Sequence, residues 1–590
     1  MTVARTLAAS AAALGLSVSG LSALTVAPSI AQAQETQAAT PVRESTPYTL
    51  ATDQPLTVEQ QAMRFDTADL SIKVIPQDKA IDAVAVLGFT AKAPLERLVV
   101  DLDTLLPISS VQIDGVELAA DRWSNPEGRL TVELPQTLAA GGSVVLRVAY
   151  AGQPRVAPRA PWDGGFVWST APSGEPWIAT AVQGEGCDIF WPCIDSPHGE
   201  PGRVDLHITV PSELSAPSNG RFLGKVDHGD GWTTWNWSAK TPNTYAIALN
   251  VGPYEEVSGQ YQSRFGNTIP LHYWHLKSDA PEKVQALFAE FPQMLDFFEA
   301  SVGPFPFGDE KMGVVETPHL GMEHQTINAY GNGYKVDGRG YDWLLQHEFA
   351  HEWFGNQLTN ANADDMWLHE GLGSYMQPLY ARWLLGDRYM QRELANQREG
   401  LVNKYPVVSG TPKTEDEVYK GDVGPGGDIY SKGSLIAHSL RMLIGDDAFH
   451  RSLTRLVYGT DDPRPGAFTP LYRSTQDYLQ IVNAVTGEDY GWFFRGYLYN
   501  AALPVLTQTR RDGRLSLQWT TGDGGVFPMP VEVEIDGRVR TVAMTGGRGE
   551  IAVPAGAHVL IDPQNKVLRQ MDVIDRLQAY KAEQRAAAKP

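Results

Sequence analysis

His347 and His351 stand four residues apart, Glu348 follows the first of them, and Glu370 follows the second after eighteen intervening residues. Residues four apart on a helix lie on one face, so both imidazoles can reach one ion. Two neutral imidazoles and a carboxylate make a three-ligand set for zinc that leaves a fourth position for water. Glu348 is placed to flank that water without ligating. Zinc brings the pKa of water toward neutrality, and an adjacent carboxylate can take the proton. This is chemistry for hydrolysing amides.

Such a ligand set needs two helices. Tyr341, Trp343, Leu344, Leu345, Trp353 and Phe354 supply the apolar face of the first, predicted to end near Gly355 and Asn356. A second helix is predicted after Asp364 and Asp365, whose charges suit a helix N-terminus. It would carry Glu370 inward beside Gly371 and Gly373, which permit close packing. The alternative is a pair of core helices holding a partnered histidine pair. Two weaker signals flank the motif. The run Leu320, Gly321, Met322, Glu323, His324 could bring backbone and a carboxylate to a substrate from an extended segment. Tyr430, Ser431, Lys432 and Gly433 open a predicted helix, where a phenol could donate to an oxyanion.

At 590 residues the chain exceeds one hydrophobic core, and several domains are expected. Its 43% apolar and 20% charged residues describe a globular protein. The formal charge of −21 argues against nucleic acid or anionic membrane as partner. Residues 1–33 carry only Arg5 as charge, contain an Ala/Leu/Val-rich run and end in Ala31, Gln32, Ala33. They read as a signal peptide cleaved near Ala33, which predicts a periplasmic or secreted bacterial protein. No later segment is apolar enough to span a bilayer, so no membrane insertion is expected after cleavage. Cys187 and Cys193 are the only cysteines. They are read either as a disulfide closing a small loop or as two unpaired thiols.

Residues 34–46 read as a disordered leader. An antiparallel β domain is expected over 47–255, where Val144, Leu146, Val148 and Tyr150 alternate and an Asp114–Gly115 turn follows Val111 to Ile113. Helical spacing takes over from Val284 to Phe298, with Pro292 predicted to kink or shorten that helix. It dominates 256–503. Alternation returns in 504–570, a small β-sandwich, and 571–590 reads as a polar helix or tail. The fold class is therefore α+β and multidomain.

His347 to Asn356, followed by Trp367, Leu368, His369, Glu370 and Gly371, resembles the zinc aminopeptidases of the M1 (gluzincin) family. Gly321-Met322-Glu323 resembles that family's exopeptidase motif, Tyr430-x-Lys-Gly its catalytic tyrosine segment, and Trp191 to Pro197 a segment of its N-terminal β domain. The resemblance implies a thermolysin-like catalytic domain and one Zn2+ held by His347, His351 and Glu370. It implies Glu348 as general base and Tyr430 as oxyanion donor. Glu323, assisted by Gln183, would hold the free α-ammonium of a peptide, with Gly321 and Met322 beside it. Leu320, His324, His369 and Gln377 depart from the family pattern at positions that shape the S1 pocket or the amine site. Cys187, Asp188 and Ser196 depart from it in the β domain. The resulting expectation is an exported zinc aminopeptidase acting on peptides with a free N-terminus. The competing readings are a glycyl aminopeptidase or endopeptidase with the same metal, and a non-catalytic zinc-containing peptide-binding protein.

Overall fold

The computed structural model describes residues 44–335, 338–466 and 468–587. The expected signal peptide and nearly all of the expected leader lie outside the described residues.

After a short helix α1 (Val58–Gln61), strands Met63–Ile75 and Ala80–Ala91 form the middle of an eight-stranded sheet. Period-two burial explains the pairing: Leu70, Ile72 and Val74 point inward while their sequence neighbours do not. Met63–Ile75 runs parallel to Arg203–Pro211 on one side, Leu70 opposite Leu206, and antiparallel to Ala80–Ala91 on the other. Leu95–Asp101 pairs with Arg129–Leu138 in a separate three-stranded sheet, and one apolar core includes the inward residues of both sheets. The Asp114–Gly115 turn has positive φ at both positions, 50° and 80°, as a tight hairpin turn requires. Cys187 and Cys193 are joined by a disulfide within this core.

A second sheet of five strands follows, in the order Tyr254–Gln262, Thr268–Leu276, Met312–Glu316, Asn328–Tyr330, Gly321–Met322. The two-residue strand Gly321–Met322 is its edge, antiparallel to Asn328–Tyr330, and it delivers Glu323. The segment expected as one kinked helix is two, α2 (Pro281–Phe288) and α3 (Phe291–Ser301). Pro292 sits in the first turn of α3, where its missing N–H removes no helical bond. Helices α4 (Trp343–His351), α5 (Trp367–Leu385), α6 (Asp387–Gly400), α7 (Glu415–Tyr419), α8 (Asp428–Ile444), α9 (Asp446–Tyr458), α10 (Thr475–Thr486) and α11 (Gly491–Tyr497) build the mainly helical part. α4 stops at His351 rather than near Gly355. Its backbone tightens there, with the Glu352 and Trp353 amides donating to Phe349 and Ala350, and the chain turns into Leu358–Asn360.

Two three-stranded sheets lie between Val505 and Ile561, and their inward residues Leu515, Leu517, Trp519, Val531 and Val533 join the helical core. Helix α12 (Asp572–Ala587) follows. No helix among the described residues is long and apolar enough to cross a membrane.

Candidate active site

Asp342 starts the site. Its carboxylate caps α4 by accepting from the Leu344 and Leu345 amides at 3.1 Å each. One and two turns on, His347 and His351 stack along the same face, and their Nε2 atoms lie 3.2 Å apart. His351 Nδ1 is 2.9 Å from the Phe354 carbonyl oxygen, an acceptor, so Nδ1 carries the proton and Nε2 can offer its lone pair inward. Glu370, in the first turn of α5, brings Oε2 to 3.5 Å from His347 Nε2 and 3.4 Å from His351 Nε2.

Helices α5 and α8 touch at backbone distance through a glycine pair. A Cβ on Gly433 would stand 2.8 Å from the Gly371 Cα, and one on Gly371 would stand 3.0 Å from the Gly433 Cα. That approach brings Tyr430 to Glu370, whose Oε1 accepts from the Tyr430 hydroxyl at 2.9 Å and from the Tyr419 hydroxyl at 2.8 Å. Glu370 Oε2 is buried with no hydrogen-bond donor.

The arrangement fits zinc. Three donor atoms form a triangle with edges of 3.2, 3.4 and 3.5 Å. Tetrahedral bonds of roughly 2.0–2.1 Å give donor edges of about 3.4 Å. Burial opposes charge on His351, yet Glu323, Glu370 and Glu348 raise its pKa to about 10. A site that holds a proton so firmly can hold a cation in its place. Burial also pushes Glu370 up, but His351 and His347 beside it overcome this and keep it well below the usual carboxylate range. A second trio, Glu323, Glu348 and His351, also converges. It is the poorer donor set for zinc, with one imidazole and two carboxylates, one of them already engaged elsewhere.

Glu348 is buried, and burial followed by Glu323 pushes its pKa well above the usual range. It lies against the edge strand, where a Cβ on Gly321 would overlap its Oε1. Only glycine allows that contact. Glu323 Oε1 accepts from the Tyr245 hydroxyl at 2.7 Å and from Gln183 Nε2 at 3.1 Å, and the same Gln183 nitrogen donates to the Tyr419 oxygen at 3.2 Å.

All nine residues singled out from the sequence (Gln183, Gly321, Met322, Glu323, His347, Glu348, His351, Glu370 and Tyr430) line one cavity of about 740 Å3. Sequence reasoning missed Tyr245 and Tyr419. Neither lies in a recognisable motif, and each reaches the site only through long-range packing. Of the departures from the family pattern, Leu320 and Gln377 line the cavity. His324 and His369 are buried, and burial lowers the pKa of each to about 3. His369 Nε2 accepts from the Asn360 amide at 2.9 Å, so its task is to hold the turn before α5.

Residues 64–245 match the family model of the peptidase M1 N-terminal domain, and residues 333–461 match that of the peptidase family M1 domain. Among curated relatives, probable aminopeptidase 2 of Sulfurisphaera tokodaii is 21% identical over 67% of this chain and 50% of its own length. Aminopeptidase M1 of Arabidopsis thaliana is 22% identical over 60% and 40%. The chain thus spans about half or less of the length of these relatives. Among solved structures, a two-domain M1 zinc metallopeptidase mutant bound to L-tryptophan superposes with a TM-score of 0.64 at 25% identity, covering 77% of this chain and 98% of that one. The M1 zinc metallopeptidase from Deinococcus radiodurans gives 0.62 at 26% identity, covering 75% and 94%. The two family models take in more than half of the sequence, in the order β domain then helical domain, and the chain belongs to peptidase family M1.

Proposed function

We propose that this protein is a zinc aminopeptidase that removes the N-terminal residue from peptides. The observation that carries this reading is the convergence, in one cavity, of a three-donor metal set, a buried carboxylate beside it, and a second buried carboxylate held ready for an ammonium. His347, His351 and Glu370 would hold the ion. When bound, zinc supplies Lewis acidity toward the scissile carbonyl and lowers the pKa of a water.

The remaining work falls to side chains. Glu348 takes a proton from the attacking water and delivers it to the leaving amine, and burial makes it a stronger base than a surface carboxylate. Tyr430 donates to the oxyanion of the tetrahedral intermediate. It can leave Glu370 to do so because Tyr419 donates to the same carboxylate oxygen. Glu323, oriented by Tyr245 and Gln183, binds the α-ammonium, which selects chain ends over chain interiors. Gly321 and Met322 set the edge strand along which the substrate backbone lies. The Cys187–Cys193 disulfide supports an exported, oxidising setting.

The test is hydrolysis of one tripeptide in free and N-acetylated form, with and without a chelator. Chelator-sensitive cleavage of the free form alone is expected. Efficient cleavage of the acetylated form would favour an endopeptidase, and no cleavage of either would favour a binding protein.

A further inference from the structure

Glu415 is the first residue of α7, four positions before Tyr419 and therefore on the same face of that short helix. Tyr419 reaches Glu370 and Gln183, so this face looks into the cavity, and Glu415 lines the cavity wall. The residue is 5% exposed and its Oε2 has no hydrogen-bond partner. Burial pushes its carboxyl well above the usual carboxylate range, and the charges that add most to this, Asp53, Glu323, Asp195 and Glu185, are acidic.

The cations of the cavity wall are engaged elsewhere. Arg155 pairs with Asp163 at 2.6 Å, Lys420 with Asp416 at 2.5 Å, and Arg159 lies over the Trp162 ring. Glu415 belongs to neither trio of converging metal donors among the described residues. A buried carboxyl without a cation is held as the neutral acid, and an arriving cation favours its ionised form. The metal has its own donor trio, which leaves Glu415 to a cation carried by the substrate. Glu323 already has a prepared partner geometry for the α-ammonium, with Tyr245 and Gln183 fixing its orientation, so Glu415 addresses a second positive charge.

We propose that Glu415 receives the cationic side chain of the substrate's first residue, so that peptides beginning with Arg or Lys are preferred. Glu185, on the same cavity wall, already accepts from the Gly164 amide at 2.7 Å and lies in the field of Arg155, which leaves Glu415 for the substrate. This rests on the aminopeptidase reading of the cavity.

The test compares kcat/KM for tripeptides X-Ser-Ala in which X is Arg or citrulline, a neutral side chain of nearly the same shape. The wild type is expected to favour Arg by about 30-fold or more, the lower end for a desolvated charge pair. In Glu415→Gln, which keeps the shape and removes the charge, the ratio falls to within about threefold of unity. A wild-type ratio below three, or an undiminished ratio in Glu415→Gln, overturns the proposal. Calorimetric binding of free L-arginine and L-citrulline to the same two proteins separates the two claims. If no peptide is cleaved but arginine binds preferentially and through Glu415, the pocket assignment stands and the aminopeptidase reading falls. If peptides are cleaved and neither measurement distinguishes Arg from citrulline, the reverse holds.

Discussion

His347, His351 and Glu370 reach a common point through two helices and the turn between them, all within 24 residues of chain. Glu323, Gln183, Tyr245 and Tyr419 meet across contacts that span 78 to 236 positions. The proposed metal half of the site is thus built from helix period and one short connection. The proposed amine half exists only where the β domain, the five-stranded sheet and α7 pack together. A mutation in the metal half should act locally and completely. One in the amine half should act through a shared network and in part.

The largest effect is expected for His351→Ala, which removes a proposed metal ligand and a buried group at once. Metal content measured by elemental analysis should fall with activity, and full metal in this variant would overturn the ligand assignment. Glu348→Gln comes next. It should keep metal and fold, while turnover falls by roughly two to four orders of magnitude, the usual contribution of a general base. A rate within threefold of wild type would assign the base elsewhere.

Glu323→Ala crosses into the amine half. Removing one partner of a desolvated charge pair costs ~2–5 kcal/mol, and the loss should fall on kcat and KM together because the amine contact also positions the carbonyl. An acetylated peptide should lose little further. A KM effect alone would mean that Glu323 binds without positioning. Tyr430→Phe should lower kcat by about a hundred- to a thousand-fold with affinity retained. A raised KM at unchanged kcat would make it a ground-state contact.

Tyr419→Phe is the smallest and sits where the halves join, since its hydroxyl donates to Glu370 and accepts from Gln183. Loss of a hydrogen bond to a charged group costs about 1.5–3 kcal/mol. A loss in kcat/KM of about ten- to a hundredfold is therefore expected. If it exceeds that of Tyr430→Phe, the roles of the two phenols are exchanged.

The ligand helices were legible because their signals are local. The i, i+4 histidines, the apolar face around them and the acidic start of the next helix each depend on a few neighbours. Gly371 was read correctly as a close-packing position, although its partner Gly433 could be found only once α5 and α8 were seen to cross there. The end of α4 was misplaced by several residues because the polar turn after His351 is set by a tightened backbone, which apolar spacing does not report. The break between α2 and α3 just before Pro292 follows from proline chemistry, which tolerates that residue in the first turn of a helix.

By itself the sequence determined the type of metal site, its ligands and base as candidates, and the succession of β, helical and β regions, because helix and strand periods and ligand chemistry act over short distances. Only the tertiary structure decided that Tyr419 shares Glu370 with Tyr430, that Tyr245 and Gln183 orient Glu323, and that Glu415 faces the cavity without a cation. A buried charge takes its meaning from the groups around it, and those groups are brought there by packing from distant parts of the chain.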